Sequence, residues 1–230
     1  MTDTAAAPRP AVERRLLGWC VFVGLLAALG YAANFSDAGD PADDVLYRWS
    51  TAVGGAIQYA VMAAIALAIG RGLGRDSLGL RRPASWGRAA GLGLASLVAI
   101  WAAGAALGQF LEAGKEQGLV PDGWDSSRAA PFAANFVVVA LVAPVVEELV
   151  YRGVGFSLIA SLAGPVVAIV ATSLAFGLAH GLVVALPVLS LFGAILGFLR
   201  WKTASLYPPM ILHGIFNATA LIAAVTLGTP

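Results

Sequence analysis

The chain has 230 residues, of which 59% are hydrophobic and only 12% charged, and its mean hydropathy is +0.83. Soluble domains carry about 25% charged residues, so this composition excludes an ordinary soluble domain and points to a polytopic membrane protein. A formal net charge of +1 gives no basic surface for nucleic acid, and a single cysteine, Cys20, excludes an intrachain disulfide.

Seven apolar segments follow in chain order, each near the roughly 20 residues a helix needs to span a bilayer. They run over about 16–33, 49–69 and 89–111, then from near Phe132 through the stretch at 145–153, then over about 164–182, 183–199 and 209–227. The expected fold is therefore all-α, a polytopic transmembrane bundle of about seven helices. The first apolar run is long and no small-residue cleavage site follows it, so it reads as a retained helix rather than a signal peptide. Pro144 and Pro187 are expected to bend their helices, because proline removes a backbone donor. "SLAGP" at 161–165 reads as the turn between the fourth and fifth segments. The glycines of "GRGLGRDSLG" follow no strand and precede no Lys-Ser/Thr, which excludes a phosphate loop.

Loop charges set an expected orientation. Arg9, Arg14 and Arg15 precede the first segment, and Arg71, Arg75, Arg81, Arg82 and Arg88 lie between the second and third. Arg200 and Lys202 follow the sixth, whereas the 34–48 loop holds Asp37, Asp40, Asp43 and Asp44. The positive-inside rule then places the N terminus in the cytoplasm and the C terminus outside, in a multi-pass protein of the cell membrane. The expected organisation is a cytoplasmic tail over 1–15, three accessory helices with their loops over 16–128, and a functional core over 129–230.

Polar residues gather in that core. "VVEELVYRG" at 145–153 follows an uncharged run, and both histidines, His180 and His213, sit in apolar segments. Ionisable groups inside a membrane are costly and mark a functional site by default. Glu148 and Arg152 are four residues apart with the carboxylate N-terminal, the favoured order for an ion pair on one helix face. Glu147 is turned about 100° from Glu148, so it faces elsewhere. His213 and Asn217 share one face, as do Phe176 and His180. A hairpin turning near residue 163 sets Glu147 level with about residue 179, beside His180. For His213 to join them, the hairpin tip has to project several turns into the cytosol, leaving the site open to water from that side.

These motifs, "EELVYR" at 147–152, "FGLAH" at 176–180 and "HGIFN" at 213–217, resemble the EExxxR, FxxxH and HxxxN signature of the CPBP family. Its members are the CAAX-protease and bacteriocin-processing, or Abi, intramembrane proteases. The resemblance covers roughly residues 130–225, and it implies hydrolysis of a peptide bond in a membrane-anchored protein or peptide. Members are also tied to bacteriocin immunity. The residues suggest Glu147 as general base for a water, His213 and Asn217 as donors to the oxyanion, and His180 as an aid to proton transfer. Glu148 and Arg152 then hold the helix in register, and Phe176 walls the pocket. No cofactor is required by this scheme. Zinc held by His180, His213 and Glu147 stays open as the alternative chemistry, although the H-E-x-x-H spacing is absent. A non-catalytic immunity or adaptor protein on the same scaffold is the alternative function. A transporter is a further alternative, without an inverted repeat to support it.

Overall fold

A computed structural model describes residues 9–36, 44–108, 111, 116 and 123–227. The acidic positions Asp37, Asp40 and Asp43, residues 1–8 of the expected tail and the last three residues lie outside this set. Among the described residues the chain is helical throughout, without strands. The helices are α1 Arg9–Asn34, α2 Trp49–Ile69, the short α3 Arg75–Leu78, α4 Trp86–Gly108, α5 Ala129–Val137, α6 Ala143–Glu148, α7 Phe156–Ala179, α8 Leu186–Thr203 and α9 Tyr207–Leu227. Two π-helical pieces, Val138–Val142 and Leu149–Gly155, join α5 to α6 and α6 to α7.

Six helical stretches are long and apolar enough to cross a membrane, and one of them, Ser126–Ala179, has 54 residues. Drawn straight, that stretch would measure about 80 Å, against an apolar bilayer core of about 30 Å. It folds back instead. The rings of Tyr151 and Phe176, far apart in sequence, lie 5.3 Å from centroid to centroid. The bend is at Gly164, whose φ of 84° and ψ of 167° break the helix, and Pro165 follows with no N–H to continue it. The stretch therefore folds as two arms packed on each other, in keeping with the bundle of about seven helices that the apolar segments suggest.

Helix α1 covers Arg9–Asn34, so residues 9–15 are helical and continuous with the first apolar run. One expectation is corrected. Pro187 does not bend a helix; it lies in the first turn of α8, where its missing N–H would have had no partner. Pro144 does disturb its surroundings. It sits at the start of α6, directly after the first π-helical piece, which widens the helix where the proline interrupts the usual bonding.

Packing centres on α7 and α8, with α1 against α7 and α4 against α8. Val150, Val154, Leu158, Leu196 and Leu199 are almost wholly buried there. In lipid such contacts stabilise by close van der Waals fit rather than by escape from water. Trp19 of α1 donates from its indole nitrogen to the Val150 carbonyl at 2.9 Å, which satisfies a backbone acceptor of the second π-helical piece. Ser157 donates to the Ser77 carbonyl, and so does Arg200 at 3.1 Å. The α2–α4 connection thereby ties the hairpin to the end of α8. About 10 Å of helix then separates Ser157 from the bend at Gly164.

At the opposite end a polar latch closes the start of α5. Asp44 accepts from Arg128 at 2.9 Å and from Arg48 at 2.7 Å, and Asp125 accepts from Arg128 at 2.6 Å. Arg128 also lies over the Tyr47 ring at 5.0 Å. Hydrogen bonds from Ser127 and Arg128 hold the Asp125 carboxyl down at about 2, and Arg48 lowers that of Asp44. Both carboxyls are thus depressed in the folded state. Their contribution is present above about pH 4 and is lost as pH falls toward 2. Thermal unfolding in detergent should show that decline for the wild type and a flatter profile for Arg128→Gln.

Candidate active site

The site is built on the irregular helix between Pro144 and Gly155. Glu148 and Arg152 are fully buried, and Arg152 Nη1 donates to Glu148 Oε1 at 3.0 Å. Arg152 Nη2 donates to the Gly193 carbonyl of α8 at 2.7 Å, and its guanidinium stacks over Phe176 at 4.8 Å. One arginine therefore ties together the hairpin, α8 and the Phe176 ring. A charge this deep is tolerable only when paired and hydrogen-bonded.

His213 of α9 stands between the two glutamates. Its Nδ1 is 3.1 Å from Glu148 Oε1, and its Nε2 is 3.8 Å from Glu147 Oε2. The Glu148 oxygen already accepts from Arg152, so Nδ1 is the donor in this contact. That bond fixes the ring and turns Nε2 toward Glu147. At 3.8 Å, Nε2 and Oε2 are too far apart to bond directly. A separation of this kind is bridged by water where the groups are accessible, and the Glu147 side chain keeps 10% of its exposure.

Glu147 has a further partner that the motifs do not announce. Tyr59 of α2 donates its hydroxyl to Glu147 Oε1 at 2.8 Å. One carboxylate oxygen is thus held, and the other faces His213. Sequence reasoning missed Tyr59 because α2 reads as a generic apolar span. The available signal was a tyrosine well inside that span rather than at an end, where such rings usually sit.

His180 ends α7 and is half-buried. Its Nδ1 lies 2.7 Å from the Phe176 carbonyl, which can only accept, so Nε2 is the nitrogen left for other chemistry. Its ring contacts Phe176 at 4.6 Å, and Phe176 contacts His213 at 5.9 Å. Phe176 is 1% exposed, and its ring packs against both imidazoles. His180 makes no hydrogen bond or ion pair with Glu147 among the described residues. The turn beyond His180 is pinned from two sides. Glu116 accepts from the Val183 and Ala185 amides at 2.7 and 2.8 Å, and Tyr31 of α1 donates to the Leu182 carbonyl.

Asn217, one turn beyond His213, donates from its side-chain amide to the Val139 carbonyl at 2.9 Å. Val139 belongs to the first π-helical piece, so Asn217 satisfies a carbonyl displaced from regular helix bonding.

Residues 129–219 match the family model described as type II CAAX prenyl endopeptidase Rce1-like. This segment is similar to that family. The match takes in all three motifs and agrees with their CPBP resemblance. Comparison with curated proteins and with solved structures gives no match. The Rce1-like segment supports a membrane peptidase of the CAAX-protease type. Tyr59 and Trp19 lie outside it, so helices beyond the Rce1-like segment also shape the site.

The zinc alternative needs His180, His213 and Glu147 around one point. Among the described residues no three His, Cys, Asp or Glu side chains are grouped to hold a metal ion. His213 directs Nδ1 to Glu148 and His180 directs Nδ1 to Phe176, which leaves Nε2 of each ring as the nitrogen open to a ligand.

Proposed function

We propose that the chain is an intramembrane endopeptidase that hydrolyses a peptide bond of a membrane-anchored protein with a water activated by Glu147. The observation that carries this reading is the 3.8 Å separation of Glu147 Oε2 and His213 Nε2 inside a buried polar cluster. A water at that point has a carboxylate to take its proton.

In this scheme His213 donates its Nδ1–H to Glu148 and works in the form that also carries a proton on Nε2, which puts a second N–H on the reacting side. Water attacks the scissile carbonyl carbon as Glu147 takes its proton. The carbonyl oxygen becomes an oxyanion, met by the His213 Nε2–H and the second Asn217 amide hydrogen. The C–N bond breaks, and the proton held by Glu147 passes to the leaving amine, a transfer in which we assign His180 the assisting role. Tyr59, Glu148 and Arg152 position the two reacting side chains, and helices α1, α2 and α4 are accessory to the core.

The site opens, on this reading, toward the cytoplasmic face, where positive-inside loops gather. The contact of Ser157 with the arginine-rich connection supports a hairpin tip that extends beyond it. A membrane-anchored precursor with a tail on that side is the fitting substrate.

Tyr59→Phe is expected to lower kcat about tenfold with KM unchanged, because it frees the carboxylate without touching a substrate surface. Michaelis kinetics of the two purified proteins check this. The proposal itself is tested by adding purified chain to solubilised membranes from cells lacking it, in ¹⁸O-labelled water. New C termini should carry the label, and a chelator should leave the cleavage intact. Cleavage abolished by chelation and restored by zinc would replace this chemistry with the metal-dependent one. A chain that generates no labelled terminus would favour the adaptor reading.

A further inference from the structure

A second polar site lies far along the bundle, at the arginine-bearing ends of α1 and α2. We propose that the cleft between these ends binds the phosphate of an anionic phospholipid. The cleft has a volume of about 640 Å³. Arg14, Arg15 and Arg71 line it together with Ala11, Gly18, Ala68 and Ile69.

Arg15 is the central observation. Its Nη1 is buried and has no hydrogen-bond partner. None of the three arginines forms an ion pair among the described residues, and the neighbouring carboxylate, Glu13, is engaged by Arg9 at 3.1 Å. A half-buried guanidinium whose inner nitrogen has no partner can receive an anion, and its planar fork matches phosphate. The backbone keeps space for it. Gly72 has a φ of +85°, and a Cβ there would stand 3.0 Å from Arg15 Nη2. A side chain at 72 would be strained and would also push the guanidinium out of position.

Depth and surroundings identify the anion as part of a lipid. Arg14 and Arg15 directly precede the first apolar run, and Arg71 directly follows the end of α2, so all three mark one boundary between apolar and polar surface. Lipid phosphates lie at that boundary, and basic pockets between membrane helices receive them. Away from the cleft the outer faces of the same helices are apolar and open, with Leu17 and Leu67 65% and 58% exposed. An amphiphile would place its phosphate among the arginines and its chains along those leucines. Free phosphate would use only the first half of this surface.

The test is native mass spectrometry of the full chain with phosphatidylglycerol, phosphatidylcholine and inorganic phosphate as probes. The expected result is one retained phosphatidylglycerol per chain, weakened at least tenfold in Arg15→Gln and in Arg71→Gln and unchanged in Arg88→Gln, which lies outside the cleft. Arg71 is exposed, so its variant keeps the test valid even where Arg15→Gln folds poorly. Phosphatidylglycerol should also raise the unfolding temperature of wild type but not of Arg71→Gln. Equal retention by Arg71→Gln and wild type would overturn the site. Equal binding of phosphatidylcholine, or displacement of the lipid by millimolar inorganic phosphate, would overturn its assignment to an anionic lipid.

Discussion

Glu147→Gln is expected to lower peptidase turnover by about 10²–10⁴-fold, the usual contribution of a positioned general base. The substitution keeps the shape of the side chain. Its amide oxygen can still accept from Tyr59, which bonds Glu147 Oε1 at 2.8 Å in the wild type. The fold should therefore survive, and the loss should appear in kcat. What disappears is the oxygen that takes a proton from water beside His213. Glu147→Asp is expected to fall between the two, because it keeps the charge but withdraws it by one methylene from the 3.8 Å separation to His213. Turnover numbers from folded, purified variants decide the matter. A Gln variant near wild-type rate would remove Glu147 from the chemistry.

The second large effect concerns stability. Arg152→Met should destabilise the chain by about 3–5 kcal/mol, because it leaves the buried Glu148 carboxylate without its principal counter-charge. Arg152 is fully buried, bonds Glu148 at 3.0 Å and the Gly193 carbonyl at 2.7 Å, and packs on Phe176. Removing both charges in Glu148→Gln with Arg152→Met should recover part of the loss. The double variant no longer buries an unpaired ion. Unfolding in bicelles, compared across the two single variants and the double variant, gives the coupling. Additive losses would mean that the pair is incidental to stability. The double variant should remain inactive even where it is stable, since His213 then loses the carboxylate that orients its ring.

Much of the architecture is legible in the sequence because the bilayer leaves few choices. Apolar runs of spanning length have to be helices, and their count and order follow directly. The turn at Gly164 is equally legible, since "AGP" joins a residue free to take positive φ with one that cannot continue a helix. Within the site, the spacing of Glu148 and Arg152 is sufficient to pair them, because four residues bring two side chains onto one helix face. Other features are not local. The π-helical pieces flanking Glu147 and Glu148 arise from Pro144 together with side chains of other helices, Trp19 on Val150 and Asn217 on Val139. No periodicity records those contacts. Tyr59 is silent for the same reason: its partner is eighty-eight residues away, and its own span shows only greasy neighbours. His213 is visible as an intramembrane histidine. Its placement between two glutamates depends on how α9 packs against α6.

The most direct measurement is a comparison of protein termini in membrane fractions from cells carrying wild-type chain or Glu147→Ala. The expected result is at least one membrane-anchored protein that keeps an intact terminus only in the Glu147→Ala cells, with Glu147→Ala itself present at normal abundance. Identical sets of termini in the two membranes, with the variant stably folded, would contradict a protease centred on Glu147.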